Sequence, residues 1–361
     1  MTAPGSPCGS CELLPEALPE RGQLLLAPPL EHTASRLRAY LAKEGWEFTA
    51  PGSSLLAVTI GPGDLARLGL SLSGLLSSVE MDDVRALVIA EGREPTIEDV
   101  VRARSLSRLV GAVQGAWLSD LLREGRLAAE LHPIVPVDEP GRIYGHESLL
   151  RGFERDGRLV YPASMFPAAR SAGLLFHLDR AARETAIREA HRSGISGALF
   201  INFCPTSIYD PAFCLRTTLS AMREAGLRNE NVVFEVVETE EIRDVEHLLG
   251  ILGFYRRAGF RVALDDLGAG YGSLDLLARL QPDFIKLDRQ LVDGLPDDPY
   301  RCAIAANLLD LARRLKTRSI AEGVEREEQM VWLRAHGADL VQGHLGTLPP
   351  RIEPSRPLAG V

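Results

Sequence analysis

The chain has 361 residues, 45% hydrophobic and 25% charged, with 49 acidic against 40 basic side chains and a net charge of −9. At roughly 150 residues per domain this is material for about two domains, and the acidic balance excludes a protein that grips duplex nucleic acid through a basic face. With no apolar run of about 18 residues, no basic and apolar leader at Met1-Thr2-Ala3-Pro4-Gly5 and five scattered cysteines, membrane insertion is not expected and a reducing, cytoplasmic setting is.

Residues 1–20 are rich in Pro, Gly and Ser and are expected to form a flexible segment. Their Cys8 and Cys11 make a C-x-x-C pair, yet no second pair completes a four-ligand zinc site, and the strand–helix context of a redox pair is missing. Over 21–95, strand patterns at 23–27, 55–60 and 86–90 alternate with helix patterns at 33–43 and 65–77. This is a small α/β or α+β domain without a phosphate loop, and its expected role is regulatory or structural. Pro95-Thr96-Ile97-Glu98 then opens a helical region with Glu98 and Asp99 in its first turn. That region serves as a connector over 96–117 and is expected to run on through Trp117 and Leu122 towards Leu131.

Residues 118–361 come close to the ~250 residues of a β/α barrel. Eight short apolar runs, at 134–137, 143–149, 198–203, 232–237, 261–265, 283–287, 318–321 and 339–342, read as strands. Between them lie helices with one apolar face, such as Val245, Leu248, Leu249, Leu252 and Tyr255, or Ile304, Leu308, Leu311 and Leu315. Only Asp138-Glu139-Pro140-Gly141-Arg142 separates the first two runs. So short a turn holds no crossover helix, and that pair is expected to be antiparallel. The fold class is therefore α/β, a TIM-like (β/α)8 barrel with an antiparallel first strand, preceded by the small N-terminal domain.

At the far end of strand after strand stands a polar residue: Glu147, Asn202, Glu235, Asp265 with Asp266, Lys286, Glu322 and Gln342. In a barrel such ends converge on one face, where active sites lie. Neighbours on a strand point to opposite faces, so Asp265 and Asp266 share a site only where strand gives way to the glycine-rich loop that follows. Two carboxylates so close need a cation or a proton between them. Oxygen ligands without His or Cys suit a hard cation such as Mg²⁺ or Mn²⁺, and an acid-rich site with one lysine suits two-metal phosphoester hydrolysis.

These residues fall in runs that together resemble the EAL domain, the cyclic di-GMP phosphodiesterase family. The runs are Glu147-Ser148-Leu149-Leu150-Arg151, Ile201-Asn202-Phe203, Phe234-Glu235-Val236-Val237-Glu238, Asp265-Asp266-Leu267-Gly268-Ala269-Gly270-Tyr271, Ile285-Lys286-Leu287-Asp288, Ala321-Glu322-Gly323-Val324-Glu325 and Gln342-Gly343. The resemblance covers roughly residues 118–350 and implies hydrolysis of cyclic di-GMP to linear pGpG with two Mg²⁺ or Mn²⁺ ions. It implies Glu147, Asn202, Glu235 and Asp265 as ligands of one metal, with Asp265 bridging to a second beside Asp266. Lys286 would hold the attacking water or the phosphate, with Glu322 as general base. Arg151, Gln342 and Leu149 would contact the dinucleotide. Glu238 would anchor the loop after the aspartate pair, with Glu325 in support, and a homodimer is the implied assembly.

The sequence also departs from the family pattern. Ser148 replaces the signature alanine, Ala269 a threonine, Gly272 a serine, His132 a glutamine that commonly reaches a guanine base, and Gly152 an aromatic residue. A hydroxyl lost near the loop removes a bond of about 0.5–1.5 kcal/mol. Two other readings compete with catalysis: a receptor that binds cyclic di-GMP uncut and signals through the N-terminal domain, and a phosphodiesterase for another nucleotide. No GG[DE]EF cyclase signature occurs, so synthesis is not expected. His146, beside Glu147, is expected to face away from the site and pack beneath a helix. Asp288 is expected to start a helix.

Overall fold

The structure, a computed structural model, describes residues 13–52, 54–208, 210–237, 245–267 and 273–355. Cys8, Cys11, Glu238, Ala269 and Gly272 lie outside the described residues. The chain divides into two compact units. The first comprises the residues up to Glu124 together with Pro162–Leu178, and the second comprises Gly125–Tyr161 and the residues from Asp179 onward.

The first unit runs β1 (Gly22–Ala27), α1 (Glu31–Lys43), β2 (Phe48–Gly52), β3 (Leu55–Ile60), α2 (Asp64–Leu75), α3 (Ser78–Asp83), β4 (Arg85–Ala90), α4 (Ile97–Val101), β5 (Arg104–Ser105), α5 (Leu106–Gln114) and α6 (Ala116–Arg123). Its sheet has the order β2-β3-β1-β4-β5 with every pairing antiparallel. Alternation puts Leu24 and Leu26 of β1, and Leu56 and Val58 of β3, into a core that also takes Leu37 and Leu41 of α1, Leu68 and Leu72 of α2, and Leu106, Leu109 and Val110 of α5. Reciprocal capping boxes start two of the short helices, Ser77 with Glu80 for α3 and Thr96 with Asp99 for α4. The exposed β2 has no counterpart in the sequence reading, because most of its residues face solvent and no apolar alternation marks it.

The helical region does not run on to Leu131. It breaks after α4, resumes in α5 and α6, and ends at Arg123; residues Leu127–Pro136 form a strand instead. Leu127-Ala128-Ala129-Glu130-Leu131 is made of good helix formers. Pairing of all five with the neighbouring strand overrides that preference.

The second unit contains β6 (Leu127–Pro136), β7 (Gly145–Phe153) and β8 (Leu159–Val160). The chain then passes through α7 (Pro162–Ala172), which belongs to the first unit, and α8 (Leu175–Arg192), which begins there. It continues with β9 (Ala198–Asn202), α9 (Pro211–Cys214), α10 (Arg216–Ala225), β10 (Val232–Val237), α11 (Val245–Arg257), β11 (Arg261–Leu267), α12 (Ser273–Leu280), β12 (Phe284–Leu287), α13 (Arg289–Asp293), α14 (Pro299–Leu315), β13 (Arg318–Val324), α15 (Glu327–Ala335) and β14 (Leu340–Gly343). Strands β6, β14, β13, β12, β11, β10, β9 and β7 are hydrogen-bonded in that order, and β6 closes the ring on β7. β6 is antiparallel to both its neighbours, and the other pairings in the ring are parallel. The eight expected strands and the antiparallel first one are all present, forming a TIM-like barrel. Among the described residues no helix is long and apolar enough to cross a membrane.

Candidate active site

The period of two along each strand builds the site. Ile134, Ala198, Phe200, Val233, Ala263, Phe284, Ile320 and Leu340 pack together as an apolar floor inside the barrel. Two residues further on, the same face of each parallel strand carries Asn202, Glu235, Asp265, Lys286, Glu322 and Gln342. Register fixes their heights, with Asn202 opposite Glu235 and Lys286 opposite Ile320. Glu147 of β7 reaches the same layer from beside Phe200. The strand-end residues singled out in the sequence therefore meet above one floor.

At the centre lies the ammonium of Lys286, a fully buried residue. Its Nζ stands 2.6 Å from Glu322, 2.9 Å from Glu235, 3.1 Å from Asp265 and 3.3 Å from Glu147. The Asn202 amide donates to Glu147 Oε1 at 3.2 Å and Glu235 Oε2 at 3.1 Å, and Gln342 Nε2 donates to Glu147 Oε2 at 2.8 Å. Burial alone would depress Lys286, but the carboxylates of Asp265, Glu147, Glu235 and Glu322 hold its pKa well above the usual lysine range. For Glu147 the neighbours outweigh burial: burial pushes its pKa up, yet Lys286 and Gln342 bring it below the ordinary value. For the other acids burial wins. Glu235 is raised well above, and Asp265 above, the carboxylate range by burial and neighbouring acids. Glu322 is pushed up to about 8 by burial, with the charges of Asp265 and Glu147 adding to it. One lysine thus leaves the cluster short of positive charge, and protons make up the difference.

Two strand irregularities aim the remaining acids. β11 loses register with β12 between Leu264 and Leu267, and Asp266 there has φ 57°, a left-handed backbone rare outside glycine. The bulge breaks the alternation, so Asp265 and Asp266 reach one site within the strand, before the loop where the sequence placed the change. Asp266, raised to about 6 by burial and by Asp265, donates its backbone N–H to Asp265 Oδ1 at 2.9 Å. β13 loses register with β14 between Ala321 and Val324, around Glu322. Among the described residues two groups of acids have oxygens within 4.8 Å of one another: Glu147, Glu235 and Asp265, and Asp265, Asp266 and Glu322. Asp265 belongs to both. Two acid groups that share a member, made of hard oxygens and short of positive charge, fit a pair of cations of the Mg²⁺ or Mn²⁺ type.

Other predicted residues take different places. Leu149 and Arg151 continue the inward face of β7 beyond Glu147, both half-buried. Glu325 is not drawn into the cluster; it accepts from Arg289 at 2.9 Å on the exposed side of β13's end. Asp288 caps α13 by accepting from Gln290 N, as expected. His146 is buried and its pKa is lowered by burial. His132 pairs with Glu147 across β6 and β7, and its ring lies 5.0 Å from that of His344. One inward residue escaped the sequence reading. Glu130, 5% exposed, shares its strand face with His132 and Ile134 and binds Arg151. Its parity on β6 was the available signal, hidden by assigning the segment to a helix.

Comparison with known proteins bears on the same stretch of chain. The profile of the EAL domain matches residues 116–348. This chain is a member of the EAL domain family. Its EAL domain is 33% identical over 230 residues to the probable cyclic di-GMP phosphodiesterase PdeG of Escherichia coli K12, a match covering 62% of this chain and 44% of that protein. The chain thus spans less than half the length of this curated relative. Among solved structures, a standalone EAL protein from Vibrio cholerae O395 in its c-di-GMP bound form is 35% identical, with a TM-score of 0.54 over 60% of this chain and 89% of that one. Klebsiella pneumoniae BlrP1, solved as a manganese and cyclic di-GMP complex, covers 93% of this chain and 99% of its own at a TM-score of 0.56; at 23% identity it shares the fold.

Proposed function

We propose that this EAL domain hydrolyses cyclic di-GMP to linear pGpG, and that the N-terminal unit modulates that activity. The observation that carries the reading is the meeting of Glu147, Asn202, Glu235, Asp265 and Glu322 around Lys286 above one barrel floor. Glu147, Glu235 and Asp265, with the Asn202 amide turned to present its oxygen, would hold one Mg²⁺ or Mn²⁺, and Asp265 with Asp266 a second. Bound there, the cations would neutralise phosphate charge and make an attacking water available.

The chain's own groups do the rest. Glu322, at the edge of the cluster and pushed up to about 8 by burial in the absence of cations, is the base once it has lost its proton. It takes the proton of the attacking water as that oxygen bonds to phosphorus, the ester P–O bond breaks, and the leaving ribose oxygen takes up a proton from solvent. Lys286 keeps its charge at any working pH and stabilises the negative charge gathering on the phosphate oxygens. Arg151, Gln342 and Leu149 hold the dinucleotide over the acids. Glu238 is the proposed anchor of the loop after the aspartate pair, and the proposed assembly is a cytoplasmic homodimer.

Incubation with cyclic di-GMP and Mg²⁺ or Mn²⁺ is expected to yield the linear dinucleotide. Glu322→Gln is expected to keep ligand binding and lose turnover by at least about a hundredfold, the lower end for a general base. Binding without turnover in either cation would overturn the reading in favour of a receptor, and substantial turnover by Glu322→Gln would remove that residue from the role of base.

A further inference from the structure

We infer that Glu130, held from behind by the C-terminal segment, is the positioning residue for the phosphate-binding edge of Arg151; the inference rests on the dinucleotide reading above. Glu130 and Arg151 face inward from adjacent strands, and their side chains are only 6% and 11% exposed. Glu130 Oε2 accepts from Arg151 Nε at 3.0 Å and Nη2 at 2.7 Å, and Arg151 Nη1 donates to the carbonyl of Leu150 at 2.8 Å. A guanidinium has five N–H donors. Three are thereby committed to the protein, and one on each terminal nitrogen is left over. Those two form the end-on fork that matches two oxygens of a phosphate. The guanidinium carbon lies over the ring of Tyr161, 5.2 Å from its centroid.

Glu130 is itself tied down. Its other oxygen, Oε1, accepts from Arg351 Nη1 at 3.0 Å. Arg351 is delivered by a bridge between Leu131 and Ile352, in which Ile352 N–H donates to Leu131 O at 2.8 Å and Leu131 N–H donates to Ile352 O at 2.9 Å. Arg351 also pairs with Glu353 at 2.8 Å. The carboxylate therefore sits between two guanidinia, one oxygen each, and cannot turn without losing both. A buried acid that merely neutralised Arg151 would not need a second arginine brought from the far end of the chain. The arrangement fixes the side-on edge of Arg151 against the protein and presents the end-on edge to the ligand.

The test is steady-state turnover of cyclic di-GMP by the full chain carrying Glu130→Gln, Arg351→Ala, Arg151→Ala or Glu130→Gln with Arg151→Ala. Glu130→Gln is expected to raise KM about tenfold, equivalent to about 1.4 kcal/mol, with kcat within about twofold. Arg351→Ala is expected to raise KM by a smaller factor in the same direction. In the Arg151→Ala background, Glu130→Gln is expected to add nothing to KM, because its only route to the ligand is gone. A change of KM of equal size in both backgrounds, or a fall in kcat alone, would overturn the positioning role and leave Glu130 a structural acid. Unchanged KM in Glu130→Gln, with the thermal midpoint intact, would overturn it too. If the wild-type chain neither binds nor cuts cyclic di-GMP, the dinucleotide reading itself fails, an outcome distinct from each of these.

Discussion

At the scale of single residues, the site is a charge imbalance in a buried place. Lys286 meets four carboxylates, and burial keeps protons on several of them, with Glu322 pushed up to about 8 and Asp266 to about 6 from ordinary values of 4.5 and 3.8. A divalent cation entering the cluster must displace those protons, so binding and deprotonation are linked. Below pH 6 both groups hold their protons and oppose the cation. Between pH 6 and 8 Mn²⁺ affinity is expected to climb by up to about tenfold per pH unit for each proton displaced, and to level off above about 8. Calorimetric titration at pH 6, 7 and 8, in buffers of different ionisation enthalpy, reads both the affinity and the protons released; a flat affinity with no proton release would contradict the linkage. The sign for folding is opposite. A carboxylate whose pKa is raised in the fold lends stability below its unfolded pKa and loses it as pH rises to the folded one, so the cation-free protein is expected to melt at lower temperature at pH 8 than at pH 5.

Elements of structure place those residues, and the placing depends on neighbours far away in sequence. Asn202 ends β9, and the loop after it is pinned by Asp179 of α8. Asp179 Oδ1 accepts from Cys204 N–H at 2.8 Å, and Oδ2 accepts from Ser207 Oγ at 2.9 Å and from the wholly buried Arg183. Asp179→Asn keeps the shape but strips Arg183 of its counter-charge. It is expected to cost about 3 kcal/mol of stability, at the lower end for breaking a buried ion pair, seen as a lower denaturant midpoint; a loss below 1 kcal/mol would show that the charge is met in another way. Asp179 was invisible in the sequence because it lies in a helix among six other charged residues of Leu175–Arg192 that look alike on paper. The strand-end acids were legible for the opposite reason. Asn202, Glu235, Asp265, Lys286, Glu322 and Gln342 each follow an apolar run at the same phase, and a strand admits only two faces. That logic failed where the backbone left its regular path. The bulge at Asp266 changes which face that residue joins, and no local pattern announces a bulge. Glu130 was lost for want of a boundary, since the helix-forming run Leu127–Leu131 becomes strand only by pairing with β7.

On the scale of the whole molecule, the chain does not fall into consecutive pieces. The first unit takes Pro162–Leu178 from between two barrel strands, and the seam is tight. A Cβ added at Gly111 of α5 would come 2.2 Å from the carbonyl oxygen of Ser171 in α7, and one at Gly115 would come 2.7 Å from the Cβ of Ala172. Only a residue without a side chain lets two helix backbones approach so closely. Gly111→Val is therefore expected to push α5 from α7 and lower stability by about 1–3 kcal/mol, the usual cost of overpacking, measured by thermal unfolding of the full chain. The same interleaving bears on where the chain can be cut. A fragment starting at residue 118, the barrel boundary expected from sequence, keeps α7 but removes α5, and so uncovers the face of α7 at Ala168, Ser171 and Ala172 that lies against Gly111 and Gly115. Such a fragment is expected to melt below the full chain or to self-associate through that face. If it melts at the same temperature as a monomer, α7 needs no cover from α5, and the first unit ends before it.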